Sequence, residues 1–189
     1  VQRLGVVGRT PGADPLHGYY ENGGDQGWSR FVAYPRGRRS TPDWTSGRIR
    51  LTDADGNGVV DALMSGQRAF ARWINHGPDG WSEPIFSPRE PGAAGEEAFG
   101  DPLVWLADLN GDGLDDLVRL RSGRVEYWPG LGHGRFGAPV MMTGSPRVPD
   151  LVMDPGRSFL MDVNGDGCAD LVHVSPGGIR IHFNRNGSG

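Results

Sequence analysis

Several features that would assign this chain to a particular class of protein are missing from its sequence. The only cysteine is Cys168, so an internal disulfide is excluded. No apolar run approaches the roughly 20 residues that a membrane-spanning helix needs. The net charge of −4 provides no basic surface for nucleic acid. Helical periodicity never extends beyond a turn or two, so long helices are not expected.

The sequence is instead rich in glycine, proline and aromatic residues. It contains 32 glycines and 15 prolines in 189 residues, a share that indicates disorder when apolar residues are scarce. Here 37% of the residues are hydrophobic and six are tryptophan, so we expect a folded, turn-rich chain with a real core. The chain begins at Val1 without a signal-like segment, and we therefore expect its natural start to be missing.

One acidic nine-residue sequence occurs three times at nearly equal steps. DADGNGVVD begins at Asp53, DLNGDGLDD at Asp108 and DVNGDGCAD at Asp162. We call these segments loop 1 (residues 53–61), loop 2 (108–116) and loop 3 (162–170). An aromatic–Gly–aromatic pattern recurs in phase with them, at Tyr20-Gly24-Trp28, Trp73-Gly77-Trp81 and Trp128-Gly132-Phe136, and begins again at Phe183-Gly187. A period of this length predicts stacked copies of one supersecondary unit.

Short apolar or alternating segments surround each loop, which is typical of β-strands. Residues 103–106 precede loop 2, residues 117–118 follow it, and residues 124–128 and 136–142 complete the unit. Four antiparallel strands in about 55 residues are typical of a propeller blade, whereas a β-sandwich does not explain the long period. We predict an all-β propeller, or a propeller segment, of about four blades in a single domain.

The predicted blades occupy residues 1–40 (partial), 41–98, 99–152 and 153–189 (partial). The first lacks its inner strand and loop, and the last lacks its outer strand. These halves either complement each other in a closed ring or mark a segment cut from a larger propeller. We favour the cut, because ring closure would leave residues 1–24 poorly paired.

Oxygen-bearing residues alternate along each loop, as calcium requires. Ca²⁺ takes 6–8 oxygen ligands, here from side chains at loop positions 1, 3, 5 and 9 and a backbone carbonyl at position 7. The predicted ligands are Asp53, Asp55, Asn57, Val59 and Asp61; Asp108, Asn110, Asp112, Leu114 and Asp116; and Asp162, Asn164, Asp166, Cys168 and Asp170. Glycine at position 6 permits the sharp turn. Three carboxylates in one loop repel one another, so Ca²⁺ is predicted to be a structural cofactor.

The loop sequences allow two other interpretations. An EF-hand needs a bidentate glutamate at position 12, where this sequence has Met64, Arg119 and His173. Asp, Asn and Gly also make good turns without a metal. One such loop would leave that alternative open, but three in register favour calcium.

Longer stretches of the sequence resemble known families. DLNGDGLDDLV and DVNGDGCADLV resemble the FG-GAP/VCBS repeat, the calcium-loop blade of integrin-like propellers. RSTPDWTSGRIRLTDADGNG, RVEYWPGLGHGRFG and GGIRIHFNRNGSG are similar to the propeller of the B component of insecticidal toxin complexes (Tc toxins), and residues 127–137 (YWPGLGHGRFG) are the most specific part. The resemblance implies a secreted propeller beside an effector-enclosing shell of RHS (YD) repeats, docked on a pore-forming component.

The sequence predicts a function without catalysis. None of the five histidines lies in a metal-ligand spacing such as H-E-x-x-H, and no G-x-S-x-G motif occurs. Catalysis would rest on fold analogy alone, since FG-GAP propellers also occur in some polysaccharide lyases and lectins. One prediction is a structural and docking module of a Tc-like toxin assembly, with the pore-forming component and the RHS shell as partners. The alternative is a secreted, calcium-stabilised VCBS module that binds glycan or protein. The YD repeat is absent from these residues, and the complete ligand sets favour that alternative.

A few further residues are candidates for surface contacts. The periodic aromatic residues are predicted to pack between blades, whereas Trp44 breaks the period and is the best candidate for an exposed contact. Residues 88–100, with Glu90, Glu96 and Glu97, are predicted to connect blades. Arg36, Arg38 and Arg39 form a basic patch expected to be solvated, and Asn186-Gly187-Ser188 is a weak glycosylation acceptor.

Overall fold

The computed structural model shows an all-β chain. It describes residues 3–8, 16–35, 42–89, 98–147 and 155–187. In these ranges helical structure is limited to 3₁₀ turns of three residues, at Gly24–Gln26, Gly77–Asp79, Ala98–Gly100 and Pro155–Arg157. Across the same ranges, no helix has the length and apolarity that crossing a bilayer requires. The predicted all-β class is confirmed.

Some of the residues discussed above lie outside the described part of the chain. They are the basic patch of Arg36, Arg38 and Arg39, the glutamates Glu90, Glu96 and Glu97, and Ser188. The predicted blade limits at residues 40–41 and 152–153 also lie outside it.

The strands form four antiparallel sheets, each a meander in which strands pair in sequence order. Sheet 1 contains β1 (Arg3–Gly8), β2 (Leu16–Glu21) and β3 (Val32–Ala33). Sheet 2 contains β4 (Ile49–Thr52), β5 (Asp61–Ser65), β6 (Ala69–Trp73) and β7 (Ile85–Pro88). Sheet 3 contains β8 (Val104–Ala107), β9 (Asp116–Arg121), β10 (Arg124–Trp128) and β11 (Val140–Met141). Sheet 4 contains β12 (Ser158–Met161), β13 (Asp170–Ser175) and β14 (Gly178–His182).

The strand register corrects one detail of the repeat. In sheet 3, Leu117 pairs with Trp128, whereas in sheet 4 the corresponding Leu171 pairs with His182. His182 therefore occupies the place of Trp128, and the periodic aromatic residue Phe183 lies one position later and is 55% exposed. The aromatic pattern is displaced because loops 2 and 3 begin 54 residues apart, while Trp128 and Phe183 are 55 apart.

Each face of sheet 3 contributes to a buried apolar cluster. Leu117 belongs to a cluster that we call the Trp128 cluster: Leu63, Phe70, Phe99, Val104, Leu117, Trp128 and Phe136. Its neighbour Val118 points the opposite way, as successive strand residues do, into the Tyr127 cluster. That cluster consists of Leu103, Ala107, Leu109, Val118, Leu120, Val125, Tyr127, Met142, Ala169 and Leu171. Sheet 3 thus packs against residues of sheet 2 on one face and of sheet 4 on the other.

The chain divides into two compact units. The first contains Val1–Thr41 and Trp73–Pro84, and the second contains Pro42–Arg72 and Ile85–Gly189. Sheet 1 lies in the first unit, and sheets 3 and 4 lie in the second with most of sheet 2. The blade limits and the propeller arrangement stay predictions.

Leu117→Ala should destabilise the protein by about 2–5 kcal/mol, because it opens a cavity in the Trp128 cluster. Leu117 is 0% exposed, whereas Leu51, at 60%, provides a matched control. Leu51→Ala should change the free energy of unfolding by less than about 0.5 kcal/mol. Urea denaturation of both variants tests this, and equal effects would contradict the assigned core.

Candidate metal centre

Each loop joins the first strand of its sheet to the second. Loops 1, 2 and 3 join β4 to β5, β8 to β9 and β12 to β13, and the ninth loop residue begins the second strand of each pair. Glycines at positions 4 and 6 adopt positive φ, from 76° at Gly56 to 90° at Gly167. Only glycine adopts this conformation without strain, so position 4 is a second fixed point of the turn. The sequence analysis singled out position 6 alone.

The aspartate at position 1 closes each loop by accepting backbone N–H groups. Gly111 and Gly113 donate to the two oxygens of Asp108 at 2.7 and 2.8 Å. Gly165 and Gly167 donate to Asp162 in the same way, at 2.7 and 2.9 Å. The bond from Gly167, followed by that from Gly165, lowers the pKa of the Asp162 carboxyl. These turns are closed by hydrogen bonds from two backbone N–H groups to one carboxylate.

Positions 3 and 5 are linked to each other in loops 2 and 3. Asn110 Oδ1 accepts the N–H of Asp112 at 2.9 Å, and Asn110 Nδ2 donates to Asp112 Oδ2 at 3.0 Å. Asn164 and Asp166 repeat both bonds at 2.9 Å. The two loops therefore have one geometry, which is expected of equivalent sites.

The aspartate at position 9 is fully buried in all three loops. Asp61, Asp116 and Asp170 are each 0% exposed. Leu109 and Gly130 donate backbone N–H groups to Asp116 at 2.9 and 2.7 Å. Burial raises the pKa of Asp116 to about 6, and the charges of Asp112 and Asp108 add to the increase against the lowering effect of the backbone bonds. A cation close to these carboxylates would favour their charged forms.

The residues at position 7, whose carbonyls are predicted ligands, differ in exposure. Val59 is 42% exposed, Leu114 is partly buried and Cys168 is 1% exposed. Burial also raises the pKa of the Cys168 thiol. A backbone carbonyl offers the same oxygen ligand whatever the side chain of its residue, so position 7 can hold valine, leucine or cysteine.

The donor set of the loops suits calcium, since it contains oxygen ligands only. Within the described ranges, however, no three His, Cys, Asp or Glu side chains are grouped as ready-made metal ligands. The carboxylates at positions 1 and 9 of loops 2 and 3 accept backbone N–H groups instead. The ligand assignment stays a prediction.

Loop 1 contains a charged partner that the sequence analysis missed. The guanidinium of Arg72 lies 3.0 Å from Asp55 Oδ2 and 3.3 Å from Asp61 Oδ2. Arg72 stands in β6, outside the nine-residue motif, so motif spacing gives no indication of it. In the sequence, Arg72 stands out only as the one charged residue of the strand Ala69–Trp73, whose other residues are apolar.

Neighbouring loops also contact one another in the second unit. Ala169 of loop 3 donates its N–H to the carbonyl of Asp108 in loop 2 at 2.7 Å. The hydroxyl of Thr52, the residue before loop 1, donates to Asp115 of loop 2. The loops therefore form part of the contact between sheets as well as a turn within each sheet.

Two other predicted surface residues fall within the described ranges. Trp44 is 36% exposed, and Asn186, also exposed, has a φ of 54°. Of the periodic aromatic residues, Trp73, Trp81 and Trp128 are at most 8% exposed and serve packing. The periodic Trp28 does not follow this prediction, because it is 55% exposed. Trp44 and Trp28 are thus both accessible to a ligand.

Comparison with known proteins identifies similar structures. No family model and no curated protein matches the chain. A chain of the Photorhabdus luminescens Tc holotoxin pore is similar over 99% of this chain, with 29% identity and a TM-score of 0.74. The TcdB2-TccC3 crystal structure is similar over 74%, with 25% identity and a TM-score of 0.51. The chain is therefore similar in structure to Tc toxin components.

A lectin from Agrocybe aegerita that recognises non-reducing terminal N-acetylglucosamine is also similar. It matches 98% of the chain with a TM-score of 0.60, but its 18% identity shows a shared fold alone. The chain spans 8% and 7% of the two toxin chains and 50% of the lectin chain.

In the presence of a chelator, protonation of Asp116 should stabilise the fold. Its pKa is raised from 3.8 to about 6, so its proton contributes most below pH 4 and that contribution is lost as the pH rises through 6. Asp116→Asn removes this effect, so the stability deficit of the variant should shrink between pH 4 and pH 7. Urea denaturation across this range measures it. Leu51→Ala is a non-titrating control, and a deficit for Asp116→Asn that grows with pH would contradict the raised pKa.

Proposed function

We propose that the chain is a segment of a calcium-binding, FG-GAP/VCBS-type β-propeller. In this proposal it acts without catalysis as a structural and docking module of a Tc-like, RHS-associated toxin assembly outside the cell. The observation that carries the proposal is the similarity of almost the whole chain to a chain of the Photorhabdus luminescens Tc holotoxin pore. The partners in this role are a pore-forming component and an RHS-repeat shell.

The packing of sheets 2, 3 and 4 supports the propeller part of the proposal. Each sheet is a meander whose strands pair in sequence order, as the strands of a blade do. Each face of sheet 3 contributes to an apolar cluster that also contains residues of a sheet neighbouring it in sequence. A blade between two others has this environment, because blades stack face to face around an axis.

The proposed calcium sites use the loop residues already named. In loop 2 the side chains of Asp108, Asn110, Asp112 and Asp116 would hold the ion with the carbonyl of Leu114, and the equivalent residues of loop 3 would do the same. The ion supplies positive charge that offsets the repulsion among three carboxylates. Asp108 already orders the turn by accepting two N–H groups, and Asp116 fixes the start of β9. The protein residues therefore preorganise the loop around the ion.

The second candidate function is that of a secreted, calcium-stabilised VCBS module that binds glycan or protein. The exposed indole of Trp44 favours it, since aromatic faces are common in carbohydrate sites. The Agrocybe aegerita lectin supports the shared fold only, because its identity to this chain is 18%.

Calcium should stabilise the protein with the low affinity of extracellular calcium modules, with Kd of roughly 10⁻⁴ to 10⁻³ M. At 10 mM Ca²⁺ each occupied site then contributes about 1.4–2.7 kcal/mol. Thermal unfolding with calcium and with EDTA measures the difference. Asp108→Asn and Asp162→Asn should each reduce it, whereas the exposed Asp79→Asn, outside the loops, should not. An identical melting temperature with calcium and with EDTA would refute the calcium sites.

The two candidate functions differ in the polypeptide that carries the segment. The toxin role expects a natural chain many times longer than 189 residues, with tyrosine–aspartate repeats, that co-purifies with a pore-forming protein. Mass spectrometry of the native polypeptide and of its complexes tests this. A short secreted chain that binds a glycan array, and loses binding on Trp44→Ala, would replace the toxin role with the second candidate.

A further inference from the structure

Loop 1 differs from loops 2 and 3 in its charged surroundings. The Arg72 side chain is 6% exposed, and its guanidinium contacts Asp55, which is 15% exposed, and Asp61, which is 0% exposed. A buried carboxylate pair is costly unless a cation or hydrogen bonds compensate it. In loop 1 part of that compensation comes from a side chain of the protein itself, which contacts one oxygen of Asp55, while Asp55 Oδ1 is buried without a hydrogen-bond partner among the described residues.

The equivalent place in the other two repeats holds no cation. Arg72 stands eleven residues after Asp61, and the residues eleven positions after Asp116 and Asp170 are Tyr127 and Ile181. Strand pairing supports this equivalence. Tyr127 pairs with Val118 and Ile181 with Val172, and Arg72 pairs with Ile85 as Tyr127 pairs with Val140, thirteen residues later in both sheets. Neither side chain carries a positive charge.

The loop that lies beside Arg72 also has different residues at two predicted ligand positions. Loop 1 has a carboxylate at position 3, Asp55, and an amide at position 5, Asn57, whereas loops 2 and 3 have the amide at position 3 and the carboxylate at position 5. The only loop with a carboxylate at position 3 is the one with an arginine beside it. In loop 1 the carboxylate of Asp55 faces the guanidinium, whereas the position-5 carboxylates of loops 2 and 3, Asp112 and Asp166, are exposed.

A backbone hydrogen bond also distinguishes loop 1 from loops 2 and 3. In loops 2 and 3 the position-1 aspartate accepts the N–H of the glycine at position 4. In loop 1, Asp53 Oδ1 accepts the N–H of Asn57 at position 5 instead, at 3.0 Å. Loop 1 therefore differs from loops 2 and 3 in one backbone hydrogen bond as well as in its charge balance.

We propose that Arg72 is the resident cation of loop 1, so that loop 1 is held without calcium while loops 2 and 3 take the ion. The guanidinium already contacts Asp55 and Asp61, two of the four predicted side-chain ligands. A calcium ion among the same oxygens would lie next to a positive charge. The part concerning loops 2 and 3 rests on the proposed calcium function, whereas the role of Arg72 does not.

Calcium stoichiometry is the first test. By isothermal titration calorimetry the wild-type protein should bind two ions, Asp55→Asn should still bind two, and Asp108→Asn should bind one. Arg72→Met, which keeps the apolar part of the side chain, should gain a third ion. Three ions in the wild type, falling to two in Asp55→Asn, would overturn the inference and leave the calcium function intact.

Thermal unfolding in EDTA tests the role of Arg72 independently of calcium. Arg72→Met should lower the melting temperature by roughly 10 °C, as loss of one partner of a buried ion pair does. In the Asp55→Asn background the same substitution should have a clearly smaller effect. Equal effects in both backgrounds would overturn the inference.

The two measurements separate failure of the inference from failure of the proposed function. If the wild type binds no calcium, the calcium function fails, and the EDTA comparison alone decides whether Arg72 is the resident cation. If Arg72→Met does not fold, the titration of Asp55→Asn decides between two and three wild-type ions.

Discussion

The buried carboxylate at the ninth loop position is the interaction on which each repeat depends. Asp116 accepts N–H groups from Leu109, near the start of its loop, and from Gly130, just beyond β10. Asp170 makes the equivalent bonds with Val163 and Asn184. One side chain therefore joins the loop, the strand that it begins and the exit of the next strand. Each oxygen of the Asp116 carboxyl accepts one of these N–H groups, so an asparagine, with a single side-chain oxygen, would leave one of the donors without its partner.

The loops also bring the sheets together, which links local charge to packing. Asp108 both closes loop 2 with its carboxylate and accepts a backbone bond from Ala169 of loop 3. The side chain of Asn184, two residues beyond β14, donates to the carbonyl of Leu109 at 2.7 Å. A change in the shape of loop 2 therefore affects the contact between sheets 3 and 4 as well as its own turn. Charge balance in the loops and close packing of the sheets are coupled for this reason.

Local patterns predicted the strands around the loops, but they predicted neither the pairing of β1 with β2 within residues 1–24 nor the contacts between distant positions. Alternation and turn residues located β10 at residues 124–128, because both signals lie within a few neighbouring positions. Arg72 was missed because its partners are 17 and 11 residues away, on the far side of a strand and a turn. Phe183 was given the place of His182 because sequence spacing does not record a one-residue difference between repeats. The roles of the predicted calcium ligands depend on a bound ion as well as on the fold of the loops.

The apolar clusters on the two faces of sheet 3 also constrain how such an array of sheets can end. Each cluster includes residues of a neighbouring sheet, so a sheet of this kind without a neighbour would expose apolar side chains to water. In loop 1 a single arginine codon, together with the exchange of Asp and Asn at two positions, is enough to separate one copy from the others.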